Sequence, residues 1–168
     1  VTDVAARMTD CVDDMAALVD ELLELSRLDA GRVVPKPAVF ALDALLREVA
    51  DTQRPQALAK QLTLTVDAPS LFVHTDRALL QRVLANLLAN AIRYTHRGSV
   101  TLSATRAGEQ VIVSVHDTGI GIAADVLPRI FEEFFQAGNP ARDRQQGQGL
   151  GLAIVRRLVD LLHVPLAV

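Results

Sequence analysis

Two alternating segments, Ser99 to Thr105 and Gln110 to Val115, constrain the fold of this chain most strongly. Polar and apolar residues alternate in each with a period of two, and Ala107-Gly108-Glu109 between them has the length and composition of a hairpin turn. An antiparallel pair is therefore predicted. It runs directly into His116-Asp117-Thr118-Gly119-Ile120-Gly121, where the second strand must end. Leu62-Thr63-Leu64-Thr65-Val66 alternates in the same way and reads as a third strand. Leu71-Phe72-Val73 and Ala38-Val39-Phe40 read as short ones.

Helical periodicity fills the intervals. Leu42 to Leu58 places Leu42, Leu45, Leu46 and Val49 on one face, with Asp43 in the first turn and Pro55 expected to kink or interrupt it. Thr75 or Asp76 is expected to cap a second helix, ending near Tyr94, in which Leu80, Leu84, Leu87, Leu88 and Ala91 form the apolar face. A short helical segment is predicted from Ala123. A last helix opens at Gly149-Leu150-Gly151-Leu152, with Leu152, Val155, Leu158, Val159 and Leu162 apolar, and Pro165 closes it. Leu166-Ala167-Val168 has the character of a strand start.

Residues Val1 to Leu28 read as one long helix. Val4, Met8, Cys11, Met15, Leu18, Leu22 and Leu25 recur at alternating spacings of four and three, a heptad seam. Such a stripe must be buried against other helices. No later segment repeats the pattern, so its partners are expected outside this chain or in a second copy. Ala30-Gly31 is a plausible stop, and Val33 to Pro37 a linker.

At 168 residues the chain suffices for one domain with a helical appendage. Half its residues are hydrophobic and its formal net charge is -3, with no basic run interleaved with aromatics. That composition argues against a nucleic-acid partner. The single cysteine, Cys11, fits a reducing compartment. No apolar run approaches a membrane span, and no secretory signal opens the sequence. The chain itself is expected in the cytoplasm and without membrane contact, whether or not a parent protein is anchored in the inner membrane.

Three motifs remain. Asn86, Asn90 and Arg93 fall four and three residues apart, one polar stripe on a helix that carries no charge from Val83 to Ile92. The amides are either ordinary helix residues or placed to bind something. Asp117-x-Gly119-x-Gly121 is either a turn or a carboxylate that the backbone can bring close to a flat ligand. Gly147-x-Gly149-x-Gly151 before a helix is either a hinge or a source of backbone N–H groups that favour phosphate. Its spacing is not the dinucleotide fingerprint, and no Gly-Lys-Ser/Thr follows to make a Walker loop.

In this order, Asn86-x-x-x-Asn90-Ala-x-Arg93-Tyr94, Asp117-x-Gly119-x-Gly121, Phe131-x-x-Phe134-Phe135 and Gly147-x-Gly149-Leu-Gly151-Leu resemble the ATP-binding domain of two-component sensor histidine kinases. That nucleotide fold is shared with DNA gyrase and MutL. The resemblance covers Val39 to Val168. The helix ending Leu25-Ser26-Arg27-Leu28-Asp29-Ala30-Gly31 also resembles the second helix of the kinase dimerisation hairpin.

The resemblance implies an α+β fold: a two-layer sandwich with a mixed, mostly antiparallel sheet, helices on one face, a lid loop and a leading long helix. It divides the chain into residues 1–31 (hairpin helix), 32–37 (linker) and 38–168 (catalytic domain). It implies ATP and Mg²⁺ as ligands. Asn90 would be the metal ligand and Asn86 would support the phosphates. Arg93, where the family more often has Lys, would pair with a phosphate, and Tyr94 would lie along adenine or ribose. Asp117 would accept from the adenine amino group, with Gly119 and Gly121 admitting the base. Gln136 to Gln148 would be a lid offering Arg142 or Arg144, and Gly147, Gly149, Leu150 and Gly151 would follow it onto the phosphates. The implied partners are a phosphoacceptor-histidine helix, a response-regulator receiver domain and a second copy through the leading helix.

The ATP-hydrolysing relatives begin this helix motif with Glu. Here Asn86 stands there, an amide that cannot activate water. A gyrase–MutL-type ATPase and a non-enzymatic binding module are the alternatives. The family's acceptor is a His followed by Asp/Glu, a basic residue and Pro, and none of His74, His96, His116 and His163 has that setting. The acceptor is therefore expected elsewhere, and the family's further strand is expected beyond Val168.

Overall fold

The computed structural model describes the backbone of residues 2–136 and 149–168. In the first helix it describes the side chains of Val12, Met15 and Ala16 and those from Leu18 onward. The elements run α1 (Thr2–Asp29), β1 (Ala38–Ala41), α2 (Leu42–Ala59), β2 (Thr63–Asp67), β3 (Phe72–Thr75), α3 (Arg77–Tyr94), β4 (Ser99–Ala107), β5 (Gln110–Asp117) and α4 (Gly151–Leu162). A single 3-10 turn, Leu127–Arg129, stands where a helical segment from Ala123 was predicted.

The predicted hairpin is β4–β5, in register from Val100 opposite Asp117 to Ala107 opposite Gln110. β2 joins β4 in parallel, and β1 pairs antiparallel with β3 as a separate two-stranded ribbon. The fold is thus α+β with a mixed, mostly antiparallel strand set, as expected. One face of β4 buries Val100, Leu102 and Ala104 against Leu45, Leu46 and Val49 of α2 and Leu84, Leu88, Ala91 and Ile92 of α3. The other face stays polar, with the Thr65 and Thr101 hydroxyls 2.9 Å apart.

A second core lies on the opposite side of α3. Leu79 and Val83, with Leu87 at the edge, pack against Leu150, Ile154, Val155, Leu158 and Val159 around α4. Helix α3 is therefore apolar on two sides. That explains why its middle carries no charge without invoking a ligand.

Three expectations are corrected. Helix α2 runs through Pro55 to Ala59. Pro55 and Asp51 are exposed, so the carbonyl deprived of its donor can turn to water. The end of the α1 seam is covered within the chain: Leu25 is 4% exposed and packs, with Leu18 and Leu28, onto the α3–α4 core. Met15 and Leu22 remain exposed, while Val4, Met8 and Cys11 lie outside the described side chains. Finally, Leu166 to Val168 form no strand, and Leu166 instead packs against the α3–α4 core.

Candidate functional site

Helix α3 carries the amide stripe, and both of its ends are tied down. At its start the Asp76 carboxylate caps the helix, accepting the Leu79 N–H at 3.0 Å and the Lys36 N–H at 2.6 Å. Of the two capping residues considered, Asp76 is the one used. Burial pushes the Asp76 carboxyl up. The backbone N–H groups of Leu79, Lys36 and Ala78, with the Lys36 charge, more than offset this and hold it below the usual carboxylate range.

Asn86 and Asn90 are half-buried on successive turns. Asn86 Nδ2 donates to the Arg82 carbonyl at 3.0 Å, which fixes the amide with Oδ1 turned toward α4. A Cβ built on Gly151 would lie 2.9 Å from that oxygen, so α4 begins directly on the amide stripe. No described side chain caps α4, and its first backbone bond is Ile154 N–H to the Leu150 carbonyl at 2.9 Å. The first-turn N–H groups of such a helix favour an anion. Leu150 has a fully buried side chain, so only its backbone can serve the site.

At the far end of α3, Asp117 is the last residue of β5. Its Oδ1 accepts the Gly119 N–H at 2.8 Å, folding the chain back in an Asx turn. Ile120 N–H donates to the Tyr94 carbonyl at 3.3 Å. A Cβ at Gly119 would lie 2.5 Å from the same carbonyl, so no side chain fits between the turn and the helix. Thr118 completes the attachment: its Oγ1 accepts the Ser99 N–H at 3.1 Å. Gly121 has φ +69, the left-handed region that glycine supplies.

The aromatic segment buttresses the third motif. Phe134 N–H donates to the Gly149 carbonyl at 3.0 Å, and a Cβ on Gly149 would lie 2.9 Å from the Phe134 carbonyl carbon. Arg129 lies over the Phe135 ring, 4.4 Å from its centroid.

Two carboxylates of α1 enter this region. Glu24 forms an ion pair with Arg82, one turn before Asn86. Burial raises the Glu21 carboxyl above its ordinary value, and the charge of Arg93 acts against that shift. The sequence alone did not bring either residue to the site. Both belong to an acidic helix face that reads as solvated.

The tertiary structure thus joins Asn86 to Gly151, and Tyr94 to the Asp117–Gly121 turn, with Asn90 and Arg93 between them along α3. Arg142, Arg144 and Gly147 lie outside the described residues. The described residues hold no group of three His, Cys, Asp or Glu able to bind a metal. What the stripe offers a cation is a neutral amide oxygen, a donor suited to Mg²⁺ that keeps phosphate oxygens and water in its shell.

Residues 75–168 match the family model of histidine kinase-, DNA gyrase B- and HSP90-like ATPases. The chain is 42% identical over 144 residues to the sensor-like histidine kinase SenX3 of Mycobacterium tuberculosis, covering 84% of this chain and 35% of SenX3. Among solved structures it is similar to full-length ShkA in complex with AMPPNP, with a TM-score of 0.84 and 32% identity over 96% of this chain and 34% of that one. It is also similar to the histidine kinase ThkA in complex with the response regulator TrrA, with a TM-score of 0.73 and 27% identity over 93% of this chain and 43% of that one. The chain spans about a third of the length of SenX3 and of ShkA. No helix of the described residues is long and apolar enough to cross a membrane. A family match over more than half of the chain, with relatives that are sensor histidine kinases, favours that branch over the gyrase–MutL one. The chain belongs to the histidine kinase-, DNA gyrase B- and HSP90-like ATPase family and is homologous to the ATP-binding catalytic domains of sensor histidine kinases.

Proposed function

We propose that this chain binds Mg²⁺–ATP along α3 and donates the γ-phosphoryl group to a histidine on another segment or chain, in two-component signalling. The observation that carries this reading is the placement of two recognition ends on one helix. The Asp117–Gly121 turn is bonded to Tyr94, and α4 begins at Asn86, eight residues or about 12 Å earlier along the axis. A purine at the first end leaves its phosphates at the second.

Asp117 reads the base: Gly119 occupies Oδ1, and the carboxylate retains acceptor capacity for an adenine amino group. Guanine presents an oxygen there, and losing a charge-assisted hydrogen bond worth about 1.5–3 kcal/mol costs at least tenfold in affinity. Asn86, Arg93 and the first-turn N–H groups of α4 orient the phosphates, and Arg142 or Arg144, outside the described residues, is the further phosphate partner that the resemblance implies. Asn90 would hold Mg²⁺ together with phosphate oxygens and water, and the ion supplies neutralisation of phosphate charge when bound. Phosphoryl transfer requires chiefly positioning and charge stabilisation, and the side chains of this stripe provide both. With an amide at position 86, no side chain of the stripe activates water. Retention of ATP for transfer is favoured over hydrolysis.

In keeping with this reading, residues 1–31 are the second helix of a dimerisation hairpin, with a second copy as partner through α1. A response-regulator receiver domain is the downstream partner, as the ThkA–TrrA complex illustrates for a homologue.

Calorimetric titration with Mg²⁺–AMPPNP tests the reading. The wild-type chain should bind, Asp117→Ala and Asn90→Ala should each bind at least tenfold more weakly, and steady-state phosphate release from ATP should be negligible. A wild type that takes up no nucleotide defeats the proposal. Rapid phosphate release would favour an ATPase instead.

A further inference from the structure

We infer that Lys60 is a positioning residue for the nucleotide site, holding the last turn of α3 from which Arg93 and Tyr94 project. The inference rests on the ATP-binding reading above. Lys60 lies outside the segment matched to the family model, and in sequence it precedes Asn86 by 26 residues and Asn90 by 30.

The last four carbonyls of a helix lack intrahelical partners and must be satisfied from elsewhere. Here each has a donor. The Ala91 carbonyl accepts from Thr95 N–H at 3.1 Å and from Thr95 Oγ1 at 2.7 Å. Lys60 Nζ donates to the Ile92 carbonyl at 2.9 Å and to the Arg93 carbonyl at 2.6 Å. The Tyr94 carbonyl accepts from Ile120. Lys60 thus takes the middle pair, and the Asp117–Gly121 turn takes the last. The two attachments are consecutive, so loosening the first releases the carbonyl to which the base-reading turn is bound.

The lysine backbone is itself fixed. Its N–H donates to the Gln56 and Ala57 carbonyls at 3.2 Å, Gln61 follows with φ +57, and Leu62 N–H returns to the Ala57 carbonyl at 2.9 Å. The ammonium therefore stands where the C-terminal ends of α2 and α3 meet. Both ends carry partial negative charge, so a cation is doubly favoured there.

The readout is built into the chain, because Tyr94 is its only tyrosine and it has no tryptophan. Near-ultraviolet circular dichroism of the free protein reports on the order around Tyr94, and calorimetry with Mg²⁺–AMPPNP reports on the site. Lys60→Met keeps the stem and removes the donors. It should weaken binding about tenfold and alter the tyrosine band while the far-ultraviolet spectrum is retained. Lys60→Arg, which can serve both carbonyls, should restore both signals. If Lys60→Met does not fold, Lys60→Gln is measured in the same way, with an intermediate loss expected. Wild-type affinity and an unaltered band in Lys60→Met or Lys60→Gln overturn the inference, as does a Lys60→Arg variant as impaired as Lys60→Met. A wild type that binds no nucleotide removes the ATP reading and this role together, whereas binding by wild type and Lys60→Met alike removes only the role of Lys60.

Discussion

Asn86 and Gly151 meet across the site: a Cβ on the glycine would stand 2.9 Å from the amide oxygen. The contact joins the middle of α3 to the first residue of α4, sixty-five positions later in the chain. It makes the glycine a requirement of the site more than of the helix that contains it.

Gly151→Ala separates those two demands. Alanine is favoured over glycine in a helix by about 1 kcal/mol, and the group it crowds is the movable end of a side chain. Thermal stability should therefore change little, whereas displacement of Asn86 should weaken Mg²⁺–AMPPNP binding about three- to tenfold. Melting curves and calorimetry on the same preparation check the two halves. Equal loss in both would mean that the contact is structural only.

The Asp76 cap should give a pH-dependent contribution. Its carboxyl is held below the ordinary carboxylate range in the folded chain. The stabilisation is therefore present above the unfolded value of about 4 and is lost as pH falls through the folded one. Asp76→Ala should cost about 1 kcal/mol at neutral pH. Denaturant midpoints for wild type and variant should converge as the pH drops below 4.

Docking of α1 should depend on Leu25 more than on its peripheral ion pairs. Leu25 is 4% exposed, whereas Asp29 and Arg157, paired at 2.9 Å, are each at least a third exposed. Leu25→Ala should cost about 2–5 kcal/mol of docking free energy, and Asp29→Asn less than about 1. Hydrogen exchange along residues 18–29 should rise sharply in the first variant and little in the second.

Glu21 places a carboxylate within the electrostatic reach of Arg93. A triphosphate bound to the same arginine meets that charge as a repulsion. Glu21→Gln should therefore raise affinity for Mg²⁺–AMPPNP a few-fold, and added salt should narrow the difference. An unchanged or lower affinity in titrations at low ionic strength would refute this.

The hairpin, the long helices and the ordered motifs were legible in the sequence. They depend on local periodicity and on glycines at fixed offsets, and the β4–β5 pair keeps its predicted start at both strands. The missing charges of α3 were legible too, but their cause was not. They reflect a second core, formed by Leu79 and Val83 with residues of α4, because one helix face cannot announce what will cover it. Pro55 shows the same limit, since a lost helix bond costs little where its carbonyl faces water.

By itself, the sequence carried the hairpin, the helical periodicities and the ordered motifs through which the chain resembles its family, and that resemblance implied the α+β class. Only the tertiary structure decided which motifs touch. It set Gly151 on Asn86 and the Asp117 turn on the end of α3, paired Glu24 of α1 with Arg82, and turned Lys60 onto the Ile92 and Arg93 carbonyls. Each of those contacts spans more than twenty residues. Such pairs follow from how two cores pack around one helix, which no local pattern encodes.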